Sequence, residues 1–310
     1  MSNINTLITG GCGFIVSHLS EKLDTADNDI FVVDDMSNGK ISHASDSVEE
    51  VYQCDLTDYD SAEKVITDIQ PDVIYHLAAK SNVRSDGVGT GQFNHNTKIT
   101  ANIVRVGHKV GHPNIAFASS STVYGHPDEV PVDEESSLNP ESYYGAGKIG
   151  SESILRTYQN QTGANVNIFR LANIVGGRLR GAVIPDFIEK LFEDSAELEI
   201  LGNGKQMKSY MHVEDCVNAM LHIQGSDATV VNIGIETTTT VDRIADIVSE
   251  EMQVQPSYNY TGGSKGWTGD VPKIKMDVSR MKSLGYSPEM TSDQAVREAA
   301  EELVDEIQHK

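Results

Sequence analysis

Three residues in the middle of the chain could together transfer a proton to and from a hydroxyl group. Tyr144 and Lys148 are four positions apart in the segment SYYGAGK, and a helix places residues at that spacing on one face. A nearby ammonium favours phenolate and lowers the pKa of a tyrosine, so the pair suits general acid–base chemistry. Upstream, the segment ASSSTVYG offers hydroxyls, including Ser120, that could hydrogen-bond a reacting oxygen. A polar turn and a solvated helix face would give the same pattern.

A glycine-rich turn near the N-terminus could bind a pyrophosphate. Gly10 and Gly13 follow the first predicted strand and open the first predicted helix. Backbone N–H groups and the helix dipole favour an anion there. Asp34 follows the second predicted strand, roughly 20 residues further on, where an acid accepts hydrogen bonds from ribose hydroxyls and repels a 2′-phosphate. The combination predicts NAD rather than NADP, against the alternative of a structural turn and a surface acid.

The turn departs from the GxxGxxG pattern at its third glycine. Val16 stands where that glycine would let the helix pack closely on the strand. We expect the valine side chain to loosen the cofactor geometry without abolishing binding.

The elements that must position these residues alternate between strands and helices. Strands are predicted at 4–9, 30–33, 73–75, 115–118 and 166–169, and helices at 13–23, 59–69, 96–106, 144–160 and 292–307. This alternation predicts an α/β fold, a Rossmann-type doubly wound parallel sheet. Beyond about residue 175 turn residues multiply, which predicts a smaller C-terminal α/β substrate domain. We expect domains at 1–174 and 175–310, with segments near 210–235 returning to the first.

Composition limits the partners. The 310 residues carry 46 acidic and 24 basic side chains, a net charge of -22. This charge repels nucleic acid and anionic membranes, so we expect neither as a partner. With 38% hydrophobic residues, it suits either a high-salt (halophilic) cytoplasm or an ordinary acidic protein.

The cysteines and the N-terminus indicate a location. Cys12, Cys54 and Cys216 are odd in number and form no CxxC pair, which is typical of a reducing compartment without a zinc site. No signal peptide and no apolar run long enough for a membrane helix are visible. We therefore expect a cytoplasmic enzyme without a metal.

These motifs together resemble one known family over essentially the whole chain. The sequence is similar to the extended short-chain dehydrogenases/reductases of the nucleotide-sugar epimerase and dehydratase group, and within it to the UDP-sugar 4-epimerases. The supporting segments are ITGGCGFI, VVDDMSNGK, VIYHLAA, ASSSTVYG, SYYGAGK, FRLANIVGGR, LGNGKQMKSYMHVED and GWTGDVPK.

The resemblance implies a role for each matching position. Catalysis falls to Ser120, Tyr144 as base, and Lys148 as its partner. The NAD site comprises Gly10, Gly13, Phe14, Ile15, Asp34, Asp35, Asn38, Asp55, Leu56, Leu77, Ala78, Ala79 and Asn96, with Tyr144 and Lys148. The nucleotide-sugar site comprises Ser120, Thr122, Asn173, Val183, Ile184, Lys208 and Asp270. Lys208 replaces the usual arginine, which changes bidentate contact with the diphosphate to a point charge and puts substrate affinity in doubt.

The same resemblance implies the reaction. Dehydratases and decarboxylases of the group carry a carboxylate after the catalytic hydroxyl residue, whereas this chain has Ser121 and Thr122. We therefore expect C4 epimerisation of a UDP-sugar, of the UDP-glucose/UDP-galactose type, through a transient 4-keto sugar with NAD retained. A UDP-glucuronate 4-epimerase, a 4-keto-sugar reductase and a non-catalytic NAD-sensing protein stay open. The resemblance also implies a homodimer, through the helices that follow Asn96 and carry Tyr144.

Overall fold

The computed structural model describes residues 3–24, 27–37, 39–43, 45–80, 90–266, 271 and 273–309. Its first half contains β1 (Ile4–Thr9), α1 (Phe14–Leu23), β2 (Asn28–Asp34), β3 (Val48–Gln53), α2 (Tyr59–Ile69), β4 (Val73–His76), α3 (Gly91–Gly107), β5 (Asn114–Ser120) and α4 (Tyr143–Thr162). Then come β6 (Val166–Leu171), β7 (Asn173–Val175), α5 (Val183–Glu193), β8 (Glu197–Ile200), β9 (Met207–Lys208), β10 (Tyr210–His212) and α6 (Val213–Ile223). The chain continues with β11 (Val230–Ile233), β12 (Thr239–Thr240), α7 (Val241–Glu251), β13 (Ser257–Tyr260), α8 (Ser279–Ser283) and α9 (Ser292–Gln308). Short 3-10 helices span Ile41–His43 and Ser121–Val123.

A seven-stranded sheet joins five strands from the first half of the chain to β6 and β11 from the second half. Its order is β11-β6-β5-β4-β1-β2-β3, and β1 to β5 pair in parallel. The order reverses between β1 and β4, the topological switch point at which doubly wound sheets bind ligands. The predicted Rossmann-type fold is therefore confirmed.

Local sequence explains most of these elements. The strands β5 and β6 are rich in apolar residues and are buried almost throughout, as expected for parallel strands covered on both faces. Asp58 caps α2 by accepting a hydrogen bond from the Ser61 N–H, and Thr291 forms a capping box with Gln294 at the start of α9. The sequence does not predict β3, an edge strand whose residues are mostly half-buried or exposed.

The contacts divide the chain into two compact units. The first comprises 1–123, 142–170 and 220–231, and the second comprises 124–141, 171–219 and 232–310. The sequence pattern predicts 124–141 in the first domain, but long-range bonds place this segment in the second unit. Val132 bridges to Met276, and the Glu134 carboxylate accepts a hydrogen bond from the Asn232 N–H at 2.8 Å.

Each unit has its own hydrophobic core. In the first, the sheet is covered by apolar side chains of α2, α3 and α4, including Ile66, Ile103 and Leu155. In the second, α5, α7 and α9 bury Phe187, Ile247 and other aliphatic residues around the pairs β7–β10 and β8–β13. Among the described residues, no helix is long and apolar enough to span a membrane, and no cluster of His, Cys, Asp or Glu could hold a metal.

Candidate active site

The glycine turn after β1 lies against the loop after β4. Gly10 has a φ of +74°, and a Cβ placed on it would lie 2.9 Å from both the Cα and the N of Ala78. Only glycine fits this approach. Gly13 is the N-cap of α1 and has no side chain, so the cap residue offers no acceptor to the N–H groups of the first helical turn. Phe14 and Ile15 begin that turn and are half-buried. A turn of this kind can cradle a pyrophosphate.

Asp34, at the end of β2, is buried and held by backbone. Its two carboxylate oxygens accept hydrogen bonds from the Cys12 N–H at 3.0 Å and the Met36 N–H at 2.7 Å. Each oxygen retains a second lone pair for a ribose hydroxyl. Asp35 is exposed and accepts a hydrogen bond from the Ser37 N–H. Asn38, also predicted for this site, lies outside the described residues.

The loop after β3 is fixed from α3. Asp55 and Leu56 are the two positions predicted to flank the adenine. Asp55 is exposed and Leu56 is buried. The Asn102 amide donates hydrogen bonds to the carbonyl oxygens of Leu56 at 2.8 Å and Thr57 at 3.1 Å. The sequence analysis did not identify Asn102, which is only 7% exposed.

The loop after β4 is fixed from the same helix. Leu77, Ala78 and Ala79 are half-buried. The buried Asn96 side chain accepts a hydrogen bond from the Lys80 N–H at 2.9 Å and donates one to the Lys80 carbonyl oxygen at 3.3 Å. These two bonds tie Asn96 to the loop after β4, and its support of the cofactor groove stays a prediction.

His76 joins this loop to the helices behind it. Its Nδ1 lies 2.9 Å from Thr9 Oγ1, which accepts a hydrogen bond from the Ala78 N–H, and its Nε2 lies 2.9 Å from Thr100 Oγ1. Thr100 Oγ1 is in turn placed to donate to the Asn96 carbonyl oxygen or to Ser151 Oγ. Thr100 then accepts from His76, so the proton lies on Nε2 and Nδ1 accepts from Thr9. Burial, with the nearby Lys148, lowers the pKa of His76 to about 3 and keeps the ring neutral.

Ser120, Thr122, Tyr144 and Lys148 come together at the carboxyl end of β5. Ser120 Oγ accepts hydrogen bonds from the Thr122 N–H at 3.2 Å and Oγ1–H at 3.0 Å, and it also hydrogen-bonds the Tyr144 side chain. Ser142 caps α4, so Tyr144 and Lys148 occupy its first two turns. Lys148 Nζ lies 5.6 Å from the centroid of the Tyr144 ring.

The Lys148 side chain is fixed by two contacts with β5. Its ammonium donates a hydrogen bond to the Ala118 carbonyl oxygen and lies 4.7 Å from the Phe117 ring centroid, a cation–π contact. Gly147 and Gly150 permit the close packing of α4 on α3, because added Cβ atoms would lie 3.2 Å from Phe93 Cα and 2.8 Å from Thr97 Cγ2.

Burial shifts the pKa values of Tyr144 and Lys148. Burial raises the pKa of Tyr144 to about 12, although its hydrogen bond with Ser120 acts in the lowering direction. Burial also lowers the pKa of Lys148 to about 7, while Glu152 acts to raise it. The expected lowering counts the positive nicotinamide as well as Lys148, so it stays a prediction for the NAD-bound protein; in the chain by itself, desolvation has the largest effect on the pKa of Tyr144.

A buried ion pair next to this group was missed by sequence reasoning. Glu152, one turn beyond Lys148, accepts hydrogen bonds from Arg170 Nε at 3.1 Å and NH2 at 2.8 Å, and from Ser119 Oγ at 2.5 Å. All three side chains are at most 3% exposed. The sequence does contain one indication of this pair. Glu152 lies four positions after Lys148, on the same face of the helix, so it must be buried together with Lys148.

The described residues of the first unit fit an NAD molecule. A pyrophosphate would bind at the Gly10 turn, which lies against Ala78, and at the N-terminus of α1. An adenosine ribose would bind the Asp34 carboxylate, which backbone N–H groups hold in place.

Within the second unit, Asn173 bonds Ser209, the residue that follows Lys208. The Asn173 N–H and side-chain amide both lie 3.3 Å from the Ser209 carbonyl oxygen, and Lys208 pairs with Thr239 in β9–β12. Val183 and Ile184 form the first turn of α5. Ile184 is fully buried in the core, so only its backbone could meet a ligand. Asp270 lies outside the described residues.

Comparisons with known proteins agree with this geometry. Residues 6–234 match the family described as the NAD dependent epimerase/dehydratase family. The chain is 32% identical over 300 residues to a protein of Methanocaldococcus jannaschii provisionally named UDP-glucose 4-epimerase, covering 94% of this chain and 95% of that one. It is 30% identical over 304 residues to UDP-glucuronic acid decarboxylase 5 of Arabidopsis thaliana, covering 93% and 86%. A crystal structure of a UDP-galactose 4-epimerase superposes with a TM-score of 0.88 at 36% identity, covering 97% and 99%.

Proposed function

This chain belongs to the NAD-dependent epimerase/dehydratase family, and we propose that within it the protein interconverts UDP-glucose and UDP-galactose by inverting C4. The observation that carries the proposal is the group of Ser120, Tyr144 and Lys148 at the carboxyl end of β5, with hydroxyl residues, and not carboxylates, at 121 and 122. Relatives of this chain are named as both epimerases and decarboxylases, so the family alone leaves the reaction open.

The residues divide the work at the sugar hydroxyl. Tyr144 takes the proton from the C4 oxygen and later returns it, as general base and then general acid. Ser120 donates a hydrogen bond to the same oxygen and steadies the charge that develops there. Lys148 supplies a positive charge on the face of the tyrosine ring, from a position fixed by the Ala118 carbonyl. Bound NAD would supply the hydride acceptor and donor for C4 and a positive nicotinamide that favours the tyrosinate.

Epimerisation needs no further acid, which fits the residues after Ser120. Elimination of a hydroxyl or loss of a carboxyl group requires an additional acid or base near the sugar. Positions 121 and 122 are Ser and Thr, so neither offers a carboxylate. Ser121 is buried, and Thr122 donates its hydroxyl hydrogen to Ser120.

The second unit would hold the UDP portion. We assign the diphosphate to Lys208 and a substrate contact to Asn173, whose amide is oriented by the Ser209 carbonyl. A lysine contributes charge without the bidentate fit of an arginine, so we expect a moderate KM for UDP-sugars.

A product assay separates the candidate reactions. Purified protein is incubated with NAD and either UDP-galactose or UDP-glucuronate, or with NAD(P)H and a UDP-4-keto sugar, and the products are resolved by ion-exchange chromatography and NMR. We expect UDP-glucose from UDP-galactose, and no product from Tyr144→Phe. If only UDP-glucuronate is converted, the substrate is UDP-glucuronate and not UDP-galactose. Stoichiometric use of NAD(P)H would indicate a reductase, and binding of NAD without turnover a sensor.

We also propose a homodimer formed through α3 and α4. Phe93, Val104, Ile149 and Ile154 lie on these helices and stay partly exposed in the single chain. Sedimentation velocity of wild type and of a Val104→Glu/Ile154→Glu variant tests this: the wild type should sediment as a dimer and the variant as a monomer.

The cell compartment and the acidity form a separate proposal. We place the protein in a reducing cytoplasm, because Cys12, Cys54 and Cys216 are unpaired and buried. The net charge of -22 supports a high-salt interior for that cytoplasm.

A further inference from the structure

The buried face of α4 is unusually polar beneath the catalytic pair. Lys148, Ser151 and Glu152 are each at most 3% exposed. Each bonds a different part of the first unit: Lys148 bonds the Ala118 carbonyl, Ser151 bonds Thr100, and Glu152 bonds Ser119 and Arg170. The position of this helix is therefore fixed by hydrogen bonds as well as by apolar packing.

Glu152 connects three elements at a single carboxylate. Its Oε1 accepts from both Ser119 Oγ on β5 and Arg170 Nε on β6, and its Oε2 accepts from Arg170 NH2. Ser119 directly precedes Ser120, and Glu152 follows Lys148 by one helical turn. A shift of β5 against α4 would move Ser120 away from Tyr144, and these bonds oppose that shift.

Stability alone is a weak reason for such a pair. Desolvating two charges is costly, and well-packed apolar residues of similar volume commonly stabilise a fold equally well. The carboxylate has a second effect, because it is the counter-charge that favours the ammonium of the buried Lys148. In the part of the chain that the structure describes, the ionisable groups that face Lys148 include Tyr144 on its own helix and His76 on β4, and Arg170 on β6 is paired to the same carboxylate.

We propose that Glu152, fixed by Arg170 and Ser119, is a positioning residue that keeps Lys148 charged and Ser120 in line with Tyr144. It touches neither substrate nor cofactor and acts through these two residues. The assignment rests on the proposed function, since Ser120, Tyr144 and Lys148 are its catalytic group.

The first test measures the charge of Lys148 without turnover. The protein is labelled with 13C at the ε-carbon of lysine, and the Lys148 resonance is identified by its loss in Lys148→Met. In Glu152→Gln, the titration midpoint of this resonance should fall by about one pH unit, as expected when a neighbouring opposite charge is removed. Glu152→Asp, which keeps the charge, should restore most of the midpoint. An unchanged midpoint in Glu152→Gln would overturn the proposal.

The second test measures placement by kinetics. Ser119→Ala leaves both charges in place and removes one bond to the carboxylate, so kcat should fall about tenfold with KM for the UDP-sugar unchanged. Ser153→Ala is the matched control, because its exposed hydroxyl bonds only the Ile149 carbonyl of its own helix. Equal kcat values for the two alanine variants would overturn the proposal. If Glu152→Gln does not fold, this kinetic comparison is the deciding test.

The two tests also separate this proposal from the proposed function. A Lys148 midpoint that moves with Glu152 in a protein that converts no UDP-sugar would refute the function and leave the charge assignment standing. A fixed midpoint in an active epimerase would refute only the role of Glu152.

Discussion

Replacing Gly10 by alanine tests whether the turn after β1 must press against the loop after β4. Two costs follow from the structure. The φ of +74° costs an alanine roughly 1–2 kcal/mol. The added Cβ would lie 2.9 Å from Ala78 Cα and N, so the two loops must separate by about half an ångström, at roughly 1–3 kcal/mol. Together, Gly10→Ala should lower the free energy of unfolding by roughly 2–5 kcal/mol.

Gly163→Ala provides a matched control for the backbone cost alone. Gly163 has the same φ of +74° at the end of α4, and a Cβ there meets nothing within 4 Å. It should lose only the first cost, roughly 1–2 kcal/mol, and bind NAD as the wild type does.

Urea unfolding and calorimetric NAD titration measure both effects. Gly10→Ala should be the less stable variant and should bind NAD at least about tenfold more weakly, a difference of about 1.4 kcal/mol. Equal unfolding free energies for the two variants, with equal NAD affinities, would show that the loops yield without cost. The reasoning that places the cofactor at this contact would then be wrong.

Three further predictions address other parts of the structure. Val16→Gly should lower the Kd for NAD, because α1 can then approach the strand more closely. It should also lower Tm, because glycine weakens a helix. If neither the Kd nor Tm changes, the predicted loosening is contradicted. Asn102→Ala removes two bonds to the loop after β3 and should lower the unfolding free energy by about 1–3 kcal/mol and weaken NAD binding, whereas Asn94→Ala, on the exposed face of α3, should change neither. Raising KCl from low to molar concentration should raise Tm if the charge of -22 is an adaptation to salt, and a flat or falling Tm would refute that adaptation.

Local patterns explain why most of the first unit could be predicted. β1 matches its predicted span 4–9, a segment rich in β-branched residues that ends at the glycine turn, and α2 matches its predicted span because Asp58 caps it. The glycine turn follows a strand and precedes a helix, so its place at the sheet's carboxyl edge follows from connectivity. These signals lie within a few residues of one another in the sequence.

Features that depend on distant partners could not be predicted in this way. The edge strand β3 alternates imperfectly and carries Glu49 and Glu50, so it resembles a polar loop. The segment 124–141 belongs to the second unit through partners about 100 residues or more away, such as Asn232 for Glu134. The Glu152–Arg170 pair has the same origin, because its charges are acceptable only where the fold brings them together.

The pKa of Tyr144 in the chain by itself could not be predicted for a related reason. The spacing to Lys148 is visible in sequence, but the burial that raises the pKa of Tyr144 and lowers that of Lys148 is a property of the folded unit. A motif identifies the pair of groups, and the fold determines their protonation.

The most direct test of the central claim follows the hydrogen on the sugar C4. UDP-galactose deuterated at C4 is incubated with the protein and NAD in ordinary water, and the UDP-glucose formed is analysed by NMR and mass spectrometry. The account predicts UDP-glucose with deuterium retained on C4, no net change in NAD, and no conversion by Tyr144→Phe. Loss of deuterium to solvent, or full conversion by Tyr144→Phe, would contradict it.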